Sequence, residues 1–179
     1  MYGSTLKYIA FLWLAGFLVL GEANAAAFLK LGDIKGESTD ANHDGWIDVL
    51  SVSHGVHKPG GGATGQSRRR GGAVFEDISI AKSIDASSPM LMLACAQGKV
   101  IKEVTLKLTQ NNSRRTPYLT YTLKNVIVTS YNVNATDDGN QEEFTLSYSE
   151  IKMSYSKTSR DGRKADNVEA NWKVEEGRQ

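Results

Sequence analysis

The chain has 179 residues, 40% hydrophobic and 23% charged, which excludes a disordered or fibrous protein and supplies one core rather than two. Its 21 Lys and Arg against 20 Asp and Glu leave a formal charge of +1, so no whole-domain attraction to nucleic acid or anionic lipid is expected. The 17 glycines and 3 prolines, with 7 tyrosines and many Val, Ile and Thr residues, favour strands joined by glycine turns over a helical bundle.

Residues 1–25 have the layout of a secretory signal peptide: Lys7, an apolar run from Ile9 to Leu20, then Ala23-Asn24-Ala25. Cleavage is expected after Ala25, with Ala27 as the alternative, leaving one domain over residues 26–179. The run is shorter than the roughly 20 apolar residues a spanning helix needs, so no stable membrane insertion is expected once the leader is removed. Cys95 is the single cysteine, which excludes an intramolecular disulfide in an exported product.

From Ala27 the chain reads as short strands. Phe28, Leu29, Leu31 and Ile34 make the first; Trp46 to Val56 makes a second, with Ile47 and Val49 on one side and Asp48 and Leu50 on the other. The polar stretch His57 to Gly72 is rich in glycine and carries Arg68, Arg69 and Arg70; at this length, without regular structure, it is a functional or disordered segment. Val74 to Ile80 resumes strand character.

One helix is expected, Ser88 to Gln97. Ser88 suits the N-cap, Pro89 the first helical position and Gly98 the C-terminal stop. Met90 to Ala96 is apolar almost all round, which predicts burial on most sides. Three longer strands follow, Val100 to Thr109, Tyr118 to Val133 and Phe144 to Tyr155, with turns at Asn111-Asn112 and Asp138-Gly139-Asn140. The tail from Lys157 is polar and reads as loose until Val168 to Val174, where Trp172 suggests docking.

Motifs with chemistry are near-misses. Asp40 to Asp48 follows the first nine positions of a helix-flanked calcium loop, but Ser51 stands where the bidentate Glu belongs, so a polar Asx-rich turn is the preferred reading. Gly60 to Ser67 has phosphate-loop spacing with Gln66 in place of the lysine. Arg68-Arg69-Arg70 lacks a stacking platform for bases, and His43, His54 and His57 match no standard zinc spacing. Cys95, inside the apolar helix, reads as an inert thiol. Neither a Gly-x-Ser-x-Gly elbow nor a His-Glu-x-x-His sequence occurs. No enzyme activity, cofactor, metal or nucleic-acid partner is expected.

Phe28-Leu29-Lys30-Leu31-Gly32-Asp33-Ile34-Lys35-Gly36-Glu37-Ser38, followed by Gly45-Trp46-Ile47-Asp48-Val49-Leu50-Ser51, resembles the opening of Hcp tube proteins of bacterial type VI secretion systems. Phe75 to Asp85, Ser88 to Gly98, Tyr121 to Val126 and Trp172 fit the same pattern, so the resemblance spans about 145 residues through a combination of pieces.

The resemblance implies a mainly β chain, a two-sheet β-barrel with one flanking helix, assembling as a hexameric ring. It implies stacked rings forming the inner tube of a contractile machine, with spike, sheath and effector proteins as partners, effectors in the lumen, and secretion from a Gram-negative bacterium. Mapped by position, His57, Lys58, Arg68, Arg69 and Arg70 would lie on a loop reaching a neighbouring subunit, and Ser51 and Ser53 would line the lumen. The leader departs from the family pattern and points either to a route through the periplasm or to a start codon assigned too far upstream. It keeps open a second class, a secreted ring-forming adhesin or binding module outside any contractile system.

Overall fold

A computed structural model describes residues 27–58, 72–110, 115–136, 139–158 and 164–174; the expected leader, the glycine-rich stretch with Arg68, Arg69 and Arg70, and the Asn111-Asn112 turn lie outside the described residues. One sheet, here sheet A, runs β2 (Ile47–Val49), β1 (Ala27–Leu31), β7 (Ile101–Thr109), β8 (Pro117–Thr136), then β10 (Glu150–Thr158) and β11 (Lys164–Lys173). The other, sheet B, runs β3 (Ser51–Ser53), β6 (Ile78–Ser83), β9 (Gly139–Ser147) and again β8. All these pairings are antiparallel, and a small hairpin of β4 (Val56–His57) with β5 (Val74–Phe75) stands apart.

Two chain segments weld the sheets into a barrel. β8 pairs with β7 up to Val126 and with β10 up to Lys124, then with β9 from Ile127; Asn125, at φ +49°, sits where it changes sheet. On the opposite side only Leu50 separates β2, bound to β1, from β3, bound to β6, and the Leu50 amide donates to the Ala81 carbonyl. Sharing strands in this way removes sheet edges that would otherwise invite pairing with another chain.

The interior follows from strand alternation. Leu29, Leu31, Val104, Leu106 and Leu123 from sheet A meet Ile78, Ile80, Val128, Phe144 and Leu146 from sheet B. Ile47 and Val49 point inward, whereas Asp48 and Leu50 are exposed, as the period-two pattern predicts.

Several expected elements are divided. Trp46 to Val56 becomes β2, β3 and β4, because the chain changes sheet at Leu50 and turns at His54-Gly55. Val74 to Ile80 breaks at Glu76-Asp77, and Phe144 to Tyr155 breaks at Tyr148-Ser149, where the chain leaves β9 for β10. The first strand stops at Leu31: Gly32 adopts φ +54° and the Ile34 amide returns to the Leu31 carbonyl. The tail is already ordered in β10 to Thr158 and resumes at Lys164 rather than Val168.

Helix α1 spans Ser88–Gln97 as expected and ends at Gly98 in the left-handed region, with the Lys99 amide returning to the Ala94 carbonyl. Its N-cap is Ser87 rather than Ser88; the Ser88 hydroxyl instead accepts from the Asp85 amide, outside the helix. The expected burial on most sides is corrected too. Only Ser88, Leu91 and Ala94 are buried, one stripe lying on β8 and the core, while Met90, Met92 and Leu93 are exposed. The two sheets already cover one another's inner faces, leaving the helix a single line of contact.

Candidate functional site

β3 carries Val52 half-buried against the core, so the flanking Ser51 and Ser53 project to the outer face of sheet B, where both are exposed. Register fixes their neighbours. Ser53 pairs with Ser79, Ser79 with Thr145 and Thr145 with Ser130, while Ser51 pairs with Ala81 and Ala81 with Glu143. A bulge between Val128 and Ser130 brings two consecutive hydroxyls to one partner: Thr129 Oγ1 and Ser130 Oγ each lie 2.7 Å from Thr145 Oγ1. Thr129 also donates to Asp77 Oδ2 at 2.7 Å. The result is a face of small hydroxyl side chains crossing four strands, with Glu143 as the charge in these two rows. The expectation singled out only Ser51 and Ser53; Ser79, Thr129, Ser130 and Thr145 follow from register, which no local pattern discloses.

His57 and Lys58 stand exposed at the foot of the segment that holds the three arginines. His57 Nδ1 is 3.4 Å from Glu76 Oε1 across the β4–β5 hairpin. Behind them an aromatic cluster ties this hairpin to the barrel: His54 stacks on Phe75, meets Tyr121 and Tyr148 edge-on, and Phe75 stacks on Trp172. His54 Nε2 lies 2.8 Å from the Tyr148 hydroxyl, which donates to the Glu76 carbonyl at 3.2 Å, so Nε2 carries the proton when that donation is made. Burial lowers the His54 pKa, opposed in part by the Glu76 carboxylate; burial, then Asp77 and Tyr121, raises that of Tyr148. Trp172 docks as the sequence suggests.

The Asp40 to Asp48 segment contains an Asx turn. Asp40 Oδ1 accepts from the Asn42 amide at 3.0 Å and pairs with His43 Nδ1 at 2.6 Å, so this carboxylate is directed inward at the turn itself. Burial would raise the Asp40 pKa, but the His43 and Asn42 contacts bring it below its usual value. His43 is buried, stacked on Phe28 with centroids 4.1 Å apart and edge-on to Trp46. Phe28 alternates with the core residues of β1, so this is a small second core on the outer side of sheet A.

At the other end of sheet B, Lys82 is fully buried and donates to Glu142 at 2.6 Å, Asp85 at 2.7 Å and the Ser83 carbonyl at 2.8 Å. Tyr131 donates to the other Glu142 oxygen, and burial together with Glu142 pushes its pKa up to about 12. Asp85 also accepts from the Ser87 amide and hydroxyl; burial opposes the effect, yet these bonds and Lys82 hold its pKa below the ordinary carboxylate range. The network links β6, β8, β9 and the start of α1. Cys95 is half-buried against the core. Among the described residues no group of three His, Cys, Asp or Glu side chains could hold a metal ion, and no helix is long and apolar enough to cross a membrane.

The family model described as type VI secretion system effector, Hcp matches residues 28–155. The chain is 33% identical over 140 residues to protein hcp1 of Pseudomonas aeruginosa, covering 76% of this chain and 86% of that one. Its fold is similar to the crystal structure of Hcp1 from Salmonella typhimurium, with a TM-score of 0.71 and 26% identity over 86% of this chain and 98% of that chain. It is also similar to the crystal structure of a type VI secretion system effector from Yersinia pestis, with a TM-score of 0.66 and 30% identity over 83% and 99% of the two chains.

Proposed function

Since the chain belongs to the Hcp family of type VI secretion system proteins, we propose that it is the tube subunit of such a system, closing into six-membered rings whose lumen is lined by the outer face of sheet B. The observation that carries this reading is the hydroxyl face of Ser51, Ser53, Ser79, Thr129, Ser130 and Thr145. A channel through which folded cargo slides needs a wall that is wetted but holds nothing. Short hydroxyls supply that, with Thr129, Ser130 and Thr145 bonded to one another and Thr129 also to Asp77, because they offer neither apolar grip nor strong ion pairs to a passing surface.

In this reading His57, Lys58, Arg68, Arg69 and Arg70 belong to a segment that reaches the neighbouring subunit, and the aromatic cluster at its foot holds that segment's two ends in place. Removal of residues 1–25 would release the domain 26–179 to the exterior. The role is structural: rings stack, carry effectors and meet spike and sheath proteins, without a catalytic step.

The test is a Cys95→Ala, Ser53→Cys variant examined as purified rings. In a lumen position the new thiol reacts with a small maleimide and is blocked to a large polyethylene-glycol maleimide until the rings are dissociated. Equal reaction with both reagents in intact rings places β3 on the outside and rejects the assignment.

A further inference from the structure

A cavity of about 820 Å³ opens where the turn after β1 meets the beginning of β7, on the side of the barrel away from the hydroxyl face. Lys30, Lys99, Lys102 and Lys107 stand on its walls, with Val100 and Trp46 between them. Its floor is fixed: Gly32 packs so close to β7 that a Cβ there would lie 2.8 Å from Ile101 Cγ2, and Leu31 and Ile101 beneath are buried.

The lining is basic in a chain that is nearly neutral. Its carboxylates are Asp33 and Glu103, and Glu103 is paired with Lys124 and also feels Lys30, so lysines outnumber acids on these walls. A concave, rigid wall concentrates the field of such a cluster more than a flat surface does. The chemistry of the walls also selects among anions. Stacking of bases needs a free aromatic face, but the Trp46 ring carries the Lys107 ammonium 4.8 Å from its centroid. Val100, 54% exposed amid the lysines, offers a contact for an aliphatic side chain instead.

We infer that this cavity docks an acidic polypeptide segment, with carboxylates on the lysines and an aliphatic side chain against Val100. The site faces away from the proposed lumen, so its partner is a protein met on the outer side of the subunit rather than cargo. Its existence does not depend on the lumen assignment.

The experiment titrates the purified full chain with a fluorescent Glu-Glu-Leu-Glu-Glu peptide and follows anisotropy at low and high salt. Saturable binding that weakens with salt is expected, and Lys30→Glu with Lys102→Glu should weaken it by about tenfold or more, because charge reversal turns attraction into repulsion. Lys157→Glu, on β10 outside the cavity, should leave it unchanged. If the double reversal disturbs the circular dichroism spectrum, Lys30→Gln with Lys102→Gln replaces it, with a smaller loss expected. Absence of saturable binding, equal loss in the Lys157→Glu protein, or tighter binding of a thymidine oligonucleotide of the same charge would overturn the proposal.

Discussion

Lys82 and Glu142, 60 positions apart in the chain, meet at 2.6 Å with neither side chain exposed to solvent. Breaking such a pair on one side leaves an uncompensated charge in the interior. Lys82→Met should therefore destabilise the protein by about 3–5 kcal/mol, and the Lys82→Met, Glu142→Leu pair by less than the sum of the single changes. Urea unfolding of the four proteins in a double-mutant cycle measures this; additive losses would show that the two groups do not share the energy.

Gly36 sits where the chain from β1 crosses Trp46 and Ile47. A Cβ there would lie 2.7 Å from Ile47 Cα and closer still to the Trp46 carbonyl oxygen, both of them backbone atoms that cannot swing aside. Gly36→Ala should cost about 1–3 kcal/mol, the range of an overpacked site, and should shift Trp46 fluorescence as the turn moves. Gly45→Ala meets nothing within 4 Å but holds φ at +69°, so its effect should be backbone strain alone.

The two faces of α1 should separate cleanly. Leu91→Ala removes a fully buried side chain and should cost about 2–5 kcal/mol, whereas Met92→Ala, at 52% exposure, should stay within about 0.5 kcal/mol in dissociated subunits. Thermal unfolding of dissociated subunits compares them; equal losses would mean the helix is buried on both sides.

Acid should loosen the hairpin below His54. Its folded pKa lies below the 6.5 of the unfolded chain, chiefly through burial, so the unfolded state takes up the proton first as pH falls. The stability associated with neutral His54 is present above pH 6.5 and declines as pH drops through that value towards the lower folded pKa. Urea midpoints should fall across this window in the natural protein and fall less in His54→Phe, which keeps a ring beside Phe75 and Tyr121 without a titrating nitrogen.

Replacing Lys58 to Gly71 by a short turn should spare the barrel, because β4 and β5 already face each other across the excision and are tied down through Phe75. Rings should nonetheless fall to monomers, since a ring repeats one contact at every subunit boundary. Light scattering with circular dichroism distinguishes the outcomes: unchanged rings would remove the segment from the interface.

Local chemistry alone marked much of this protein. Pro89 and Gly98 bracket α1 because one cannot continue a helix upstream and the other readily takes the left-handed stop, and the alternation Ile47, Asp48, Val49, Leu50 assigns inside and outside correctly because a strand has period two. The runs from Phe28 to Ser38 and Gly45 to Ser51, combined with Phe75 to Asp85, Ser88 to Gly98, Tyr121 to Val126 and Trp172, point to the family that the comparison over residues 28–155 shows. Tertiary structure decided what depends on partners far along the chain. Lys82 occupies an alternating strand where a lysine reads as solvent-facing; it is buried because Glu142 and Asp85 converge on it. Phe28 reads as core, yet points outward and is covered by His43, and the apolar helix is exposed on one side because the sheets had already filled each other's faces. The hydroxyl wall around Ser51 and Ser53 exists only once β6, β9 and β8 fall into register, for a sequence specifies which way each side chain leaves its own strand but not which strand comes to lie beside it.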